Sequence, residues 1–326
     1  MRSNLRRALR ALSAAALCAL SAASHAADAP WPSRPIEAVI GYAPGGGVDL
    51  VMRIVGPALS ARLGQPIVVV NKPGASAILA AQFVAQATPD GHTLFGTDGG
   101  ALALNGALYS KLPYDPARDL APVSMLIRSP LILVAHPGFA ANDLRGLIEL
   151  ARRDGKLSYA SPGLGSFQQL GMELLKFRAQ FPAEAIAYKG QGPAIQDVIS
   201  GQIPLIVIGA AGLNQVTGGK LKALASLTQA RLPAIPNVRT AAEQGVTDAE
   251  VYAWIGVAAP RAVPRPIVAR LADEMKRVVA QPEIAGRLQE QGYDPYPLGP
   301  DEFTAYVASE VRRFHPLIRT LNMKLD

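Results

Sequence analysis

Short apolar runs alternate with longer amphipathic segments along most of this chain. In the first hundred residues, strands are expected at 36–42, 67–71 and 93–96, with helices at 49–63 and 75–87 between them. Glycine or proline marks most of the boundaries. Strands that are separated by helices pair in parallel through right-handed crossovers, so this pattern predicts an α/β fold with mainly parallel sheet flanked by helices.

The same alternation resumes near Pro130. Residues 129–251 could therefore form a second lobe inserted into a first lobe made of 27–128 and 252–326. Two connections between such lobes would form a hinge. The expected strands lie at 131–135, 157–160, 186–188, 205–208, 223–226 and 254–258. The expected helices lie at 143–153, 167–178, 267–279 and 301–321, and another follows the segment 189–194 and runs to Ser200.

The first 26 residues have the features of a secretory signal peptide. A basic start without acidic residues precedes an apolar stretch at 11–23, and Ser24-His25-Ala26 offers small residues at the positions that a signal peptidase reads. The stretch is short for a membrane-spanning helix, although an uncleaved anchor is the alternative. We expect cleavage and export to the periplasm, with a mature protein that is not embedded in the membrane.

Removing this leader changes the charge and the cysteine content. The formal charge of +7 loses four arginines, which leaves 28 basic residues against 25 acidic ones. No basic tract interleaved with aromatic residues remains, so nucleic acid is not an expected partner. Cys18 lies inside the leader after Leu17, a poor context for a lipid anchor. The mature chain therefore has no cysteine for a disulfide, a thiolate nucleophile or a thiolate metal site.

Gly45-Gly46-Gly47 follows the first expected strand and precedes a helix. The first N–H groups of a helix have no internal partner and carry positive potential, so such a turn can hold an anion. Asp49 is expected to cap or neutralise the helix start, within reach of Arg53 for an ion pair. A tight turn without a ligand is the alternative for this loop alone.

Similar loops recur at 74–76, 96–99, 161–166 and 189–192. Each follows an expected strand, and open α/β sheets bind ligands at the carboxyl ends of parallel strands. Converging N–H and hydroxyl donors from two lobes suit a small acid with more than one carboxylate. Ser161 and Ser166 are, in the alternative interpretation, helix caps only.

Patterns for catalysis and cofactors are lacking in the sequence. It contains no phosphate-binding G-x-x-x-x-G-K-[ST], no dinucleotide fingerprint and no G-x-S-x-G elbow. His92, His136 and His315 are far apart and lack ligand spacing, so we expect no metal site. No catalytic residue and no cofactor are predicted.

Several segments together resemble one family, the periplasmic receptors of tripartite tricarboxylate transporters, also called Bug-type solute receptors. The resemblance runs from about Trp31 to the C-terminus. The segments that carry it are "YAPGGGVDLVMR", "LGQPIVVVNKPGA", "PDGHTL", "LPYDPARDLAPVSML", "KLSYASPGLGS", "AYKGQGPAIQDVISGQIP", "GGKLKALA", 236–245 and "WIGVAAP".

This resemblance implies a type II-like periplasmic-binding-protein fold, in which two α/β lobes joined by crossing strands close like a Venus flytrap. It implies no catalysis and no cofactor. A small mono-, di- or aromatic carboxylic acid would bind between the lobes, and a monomeric receptor would deliver it to a two-component membrane permease. The implied ligand-binding residues are Tyr42, Ala43, Gly45, Gly46, Asp49, Ser76 and Thr97 in the first lobe and Ser161, Gly163, Gly165, Ser166 and Tyr188 in the second.

Some positions depart from the usual pattern of that family. They are Val48, Ser76-Ala77, Leu164, Gln169, Pro204, Gly209 and Ala210. Because these changes make the second-lobe wall more apolar, we expect a ligand whose far end is larger or less polar than that of a short C4 diacid. A weakened or orphaned receptor is the alternative. From other classes, an exported α/β enzyme acting on a small acid and a ligand-sensing signalling subunit stay open.

Overall fold

The computed structural model describes residues 31–188, 190–209 and 212–325. The predicted signal peptide, Cys18, Lys189 and Ala210 lie outside these described residues. Within them the chain forms two sheets flanked by helices, which confirms the predicted α/β class. No helix in the described ranges combines the length and the apolar character that crossing a membrane requires.

The elements follow the predicted alternation closely. The strands are β1 (Ile36–Ile40), β2 (Ile67–Asn71), β3 (Thr93–Asp98), β4 (Leu120–Pro130), β5 (Ile132–Ala135), β6 (Ser158–Ser161), β7 (Glu184–Ala187), β8 (Leu205–Ile208), β9 (Lys222–Ser226), β10 (Tyr252–Pro260) and β11 (Asp294–Leu298). The helices are α1 (Gly47–Leu63), α2 (Ile78–Ala85), α3 (Asn105–Leu108), α4 (Pro116–Asp119), α5 (Leu144–Asp154), α6 (Phe167–Ala179), α7 (Gln191–Ile199), α8 (Leu213–Thr217), α9 (Arg265–Val279), α10 (Pro282–Glu290) and α11 (Pro300–Thr320). A π-helical segment, Gly100–Leu104, follows β3.

The first sheet has the order β11-β4-β10-β3-β1-β2, and the second has the order β7-β6-β8-β5-β9. The chain passes from the first sheet to the second between β4 and β5, through Leu131, and returns between β9 and β10. Buried apolar side chains form one continuous cluster across this region, including Phe95, Leu133, Phe167 and Trp254. The lobe boundaries at 128/129 and 251/252 stay a prediction.

The expectation of mainly parallel sheets needs correction, because both sheets are mixed. In the first, β1 pairs in parallel with β2 and β3, whereas β10 is antiparallel to β3 and β4, and β11 is antiparallel to β4. In the second, β6 is parallel to β7 and β8, whereas β5 is antiparallel to β8 and β9. The pair of β4 and β10 is antiparallel because β4 leads out of the first sheet and β10 returns beside it in the opposite direction.

Candidate functional site

A cleft of about 440 Å³ is lined by loops from both sheets. On the side of the first sheet, its wall includes residues from the loop after β1, the loop after β3 and the strands β4 and β10. On the other side, the wall includes residues 164–168, Gln191 and Gly209. The ends of non-consecutive segments thus meet around one space, as expected for a ligand site in an open α/β protein.

The structure brings some of the predicted site residues to this cleft. Those that line it are Tyr42, Gly46, Ser76, Gly165 and Ser166. The predicted residues that do not line it are Ala43, Gly45, Asp49, Thr97, Ser161, Gly163 and Tyr188. Asp49, Ser161 and Tyr188 form hydrogen bonds with other residues of the protein, and they lie behind the cleft wall.

Gly45 and Gly47, the first and third residues of the triple glycine, are required for different reasons. Gly45 has a φ of 84°, in the left-handed region that favours glycine, and its N–H donates to Asp49 Oδ2 at 2.9 Å. A Cβ on Gly47 would lie 2.9 Å from the hydroxyl of Tyr293, so a side chain there would clash with a residue of the cleft wall. The loop therefore places the start of α1, including Gly46 and Val48, on the cleft surface.

Asp49 holds this loop in place from behind. Its buried carboxylate accepts bonds from Arg53 at 2.8 and 3.0 Å, from Asn71 at 3.0 Å and from the N–H of Gly45. These contacts, led by the bond from Arg53, lower the pKa of Asp49 to about 2, against the opposing effect of burial. The ion pair expected from the spacing is present, and its structural effect is to stabilise the loop that carries the cleft residues.

The start of α6 forms the opposite wall. Ser166 is the N-cap, and its Oγ accepts a bond from the N–H of Gln169 at 3.2 Å. The Gln169 side chain accepts in turn from the N–H of Gly165 at 2.7 Å. The helix cap predicted for Ser166 is therefore present, and Ser166, Phe167 and Gln168 all line the cleft. The N–H groups of this first turn have no intrahelical partner.

Ser161 and Tyr188 are engaged elsewhere. Ser161 is fully buried, and its hydroxyl donates to the carbonyl of Gly163 at 3.4 Å. The Tyr188 hydroxyl donates to Asp197 at 2.6 Å, and this bond raises the pKa of Tyr188 to about 12. Both residues stabilise the loops at the ends of β6 and β7 that support the second wall.

The cleft residues that were not predicted as ligand-binding include Asp98, Gln168 and Gln191. Gln191 begins α7, and its Oε1 accepts from the N–H of Gly209 at 3.0 Å and from Gln168 Nε2 at 3.3 Å. Amide side chains carry no sequence signal for binding, and these two lie 23 residues apart. Asp98 and Gln191 had a weaker signal, since they lie in the glycine-containing loops at 96–99 and 189–192.

The charge of the cleft is unusual for an anion site. Among the described lining residues there is no Lys, Arg or His, and Asp98 is the one acidic residue. Burial raises the pKa of Asp98, although bonds from the Tyr42 hydroxyl and from the backbone N–H of Gly100 oppose this shift. Positive potential therefore comes from backbone, because α1, α6 and α7 all begin at the cleft.

Much of the remaining wall is apolar. Trp254 is fully buried and packs edge-on against Phe303, with ring centroids 5.3 Å apart. Leu164 lies at the rim with 56% of its surface exposed. The expected apolar character of this wall is thus present at Leu164 and Gly209, and it continues onto the first-sheet side through Ile127.

Ser76 lies at the edge of the cleft in a strained backbone conformation. Its φ of 52° is in the left-handed region, which is costly for a serine. Tyr109 donates to its hydroxyl at 3.0 Å, and Asn105 donates to its carbonyl at 3.1 Å. These bonds fix the residue in the wall. No cluster of metal-binding side chains occurs in the part of the chain that the structure describes.

Known proteins resemble this chain over most of its length. The family described as "Tripartite tricarboxylate transporter family receptor" matches residues 51–323. Protein BugT of Bordetella pertussis is 32% identical over 298 residues, covering 90% of this chain and 91% of BugT.

Two solved structures share the fold. The structure described as R. palustris Rpa4515 with adipate is 30% identical with a TM-score of 0.79, covering 90% of this chain and all of that one. MatC (Rpa3494) from Rhodopseudomonas palustris with bound malate is 32% identical with a TM-score of 0.75, covering 88% of this chain and all of that one. The chain therefore belongs to the tripartite tricarboxylate transporter receptor family, a family of periplasmic solute-binding receptors.

Proposed function

We propose that this receptor binds a small carboxylic acid in the cleft and delivers it to a two-component membrane permease. The observation that carries the proposal is the convergence of three helix starts, α1, α6 and α7, on one cleft whose described lining has no basic side chain. Helix N-termini attract anions through unpaired N–H groups and through the helix dipole. The adipate and malate bound by the two related structures support the same ligand class.

The carboxylate would lie between the two walls. On one side, the backbone at Gly47 and Val48 offers N–H groups at the start of α1. On the other side, Ser166 offers its hydroxyl, and the first turn of α6 offers its N–H groups. Because neither wall supplies all of the donors, a bound ligand favours a conformation in which both walls contact it.

Closure in this proposal brings two lobes together, the first made of 27–128 and 252–326 and the second of 129–251. The passages between β4 and β5 and between β9 and β10 are the positions where a hinge would bend. The receptor works as a monomer that reaches the periplasm after cleavage of residues 1–26, and the permease recognises the closed form.

Thermal unfolding of the mature protein with a panel of C3 to C10 mono-, di- and aromatic acids tests the binding step. A ligand at one hundred times its Kd adds about 2.7 kcal/mol of stability. For a chain of this size, we expect the unfolding midpoint to rise by roughly 5 °C or more. A folded protein whose midpoint responds to no carboxylate would contradict the proposal.

Uptake into proteoliposomes tests the delivery step. Vesicles containing the two permease subunits should accumulate a radiolabelled hit only when the receptor is present on the outer side. Uptake at the same rate without the receptor would contradict delivery, even if binding is confirmed. A variant that binds no ligand serves as the control for non-specific effects of added protein.

A further inference from the structure

A second cavity, of about 910 Å³, lies against the segment 100–109, which also forms part of the cleft wall. Within this segment, Leu104 and Leu108 line the cleft, whereas Ala103 and Tyr109 line the second cavity. The two spaces have no lining residue in common in the described part of the chain. The second cavity is therefore a separate space and not an extension of the cleft.

The segment "LPYDPARDLAPVSML" builds much of this cavity. Nine of the eleven residues 112–122 line it, and none of them lines the cleft. The Tyr114 hydroxyl donates to the carbonyl of Ala101 at 2.7 Å, and Asp115 caps α4, with its Oδ1 accepting from two backbone N–H groups at 3.0 and 3.1 Å. These bonds fix the shape of the segment, so the cavity is preformed.

Arginine side chains give the cavity a positive charge. Arg118 on α4, Arg261 after β10 and Arg312 on α11 line it, and the acidic residue among the described lining residues is Asp115. Arg118 pairs with Asp119 at 2.8 Å. The exposed guanidinium groups of Arg261 and Arg312 have no hydrogen-bond or ion-pair partner among the described residues. These two groups are therefore available to an anion, and an excess of one charge sign concentrates ligands of the other.

Most of the remaining lining side chains are apolar. They include Leu102, Leu112, Leu120, Pro122, Val307 and Val311. His315 also lines the cavity, and its Nε2 lies 2.7 Å from the carbonyl of Ala103, to which it donates. An apolar body would remove this surface from water, which a small hydrophilic anion would leave wet. The volume lies within the range of about 300 to 1,000 Å³ that is usual for small-molecule sites, and the concave shape suits a single molecule better than a membrane surface.

We propose that this cavity is a second binding site, for an amphipathic organic anion that has one anionic group and an apolar chain, such as a medium-chain fatty acid. The anionic group binds at Arg261 and Arg312, and the chain lies on the apolar side chains. This inference goes beyond the proposed function of the cleft and does not depend on it, because the two spaces are lined by different residues.

Calorimetric titration of the mature protein with octanoate tests binding. Octanoate should bind at least tenfold more tightly than butanoate, since four more methylene groups leave water. It should bind severalfold more tightly than octanamide, which has the same chain without the charge. The affinity for octanoate should fall as the salt concentration rises from about 20 to about 500 mM, because exposed charges are screened. No octanoate binding, or equal binding of octanamide, would overturn the proposal.

The variant Ala308→Phe tests the location of the site. Ala308 lines the cavity from a half-buried position on α11, so a phenyl ring there would take the space of the ligand. The titration should lose one octanoate site per protein. Ala305→Phe is the matched control, because Ala305 is exposed on the same helix and lines neither space. If Ala308→Phe, shown to be folded by thermal unfolding, bound octanoate as the wild type does, octanoate would bind elsewhere and the proposal would fail.

The variants Arg261→Gln and Arg312→Gln test the charge without disturbing the core, since both side chains are exposed. Each should weaken octanoate binding roughly two- to fivefold and leave octanamide binding unchanged. Arg287→Gln changes the net charge equally at an exposed position of α10 that lines neither space, so it should have no effect. Unchanged octanoate affinity in both variants would show that these arginines do not hold the anion, which contradicts the proposed site.

Discussion

Glu310 is a buried carboxyl group on α11, close to the Trp254 indole that lines the cleft. Burial raises its pKa from 4.5 to about 7, although the Arg313 guanidinium and the Trp254 indole oppose this shift. The folded protein therefore holds the proton of Glu310 more tightly than the unfolded chain does. The favourable contribution of Glu310 to the free energy of unfolding is complete below about pH 4.5 and is lost as the pH rises through 7.

We expect Glu310→Gln to remove this dependence of stability on pH, because the amide resembles the protonated acid in shape and does not titrate. At pH 8 the variant should be more stable than the wild type, by up to about 3 kcal/mol for the full shift in pKa. At pH 5 the difference should be below about 1 kcal/mol, because the folded protein keeps Glu310 protonated and the unfolded chain is still partly protonated. Chemical denaturation at pH 5, 6, 7 and 8 measures the difference. A stability difference that does not change with pH would contradict the assigned cause.

Individual site residues were only partly predictable from the sequence. Tyr42, Gly46 and Ser166, which lie in loops that follow expected strands, line the cleft, and their contact with a ligand stays a prediction. Gln191 lies in the candidate loop at 189–192, but the bond that it accepts from the Gly209 N–H could not be predicted because it forms only in the fold. The need for glycine at position 47 could not be predicted either, because the Tyr293 hydroxyl that a side chain would meet there comes from a loop before β11.

Among the elements, the start of α6 connects folding to binding most directly. Its N-cap, Ser166, accepts a bond from Gln169 N–H and faces the cleft. We expect Ser166→Ala to destabilise the protein by about 1 kcal/mol through loss of the cap. In our proposal the hydroxyl also donates to the ligand, so the Kd should rise roughly two- to tenfold. Denaturation and calorimetry measure the two effects separately.

Asp143→Ala is the comparison variant for this prediction. Asp143 caps α5 by accepting from the N–H of Gly146 at 2.9 Å, and it does not line the cleft. It should lower stability without changing the Kd. If Ser166→Ala also left the Kd unchanged while lowering stability, Ser166 would be a cap only, as the alternative interpretation of the sequence holds.

Elements with clear periodicity were predicted well, and those without it were missed. The bounds of β2 and β8 match the expectation because continuous apolar runs end at turn residues. β4 was missed, since Pro122 and Arg128 interrupt its apolar pattern. β11 was missed because it contains two prolines, which an edge strand tolerates and a central strand does not.

At the scale of the whole molecule, the mixed sheets follow from the path of the chain. β4 and β10 pair along most of their length in opposite directions, next to the passages between the sheets. Local sequence patterns indicate that an element is a strand but not which strand lies beside it. The resemblance to a receptor family supplied the two-sheet architecture, which periodicity alone left open.

The proposed closure predicts a change in shape that depends on both walls. A ligand that contacts the starts of α1 and α6 together stabilises the closed population, whereas acetate, which is too short to reach both, should bind weakly without closing the molecule. In small-angle X-ray scattering, the radius of gyration should fall as a ligand found in the thermal-unfolding panel saturates the protein and should stay unchanged with acetate. A saturated complex with the same scattering profile as the free protein would show that binding requires no lobe movement.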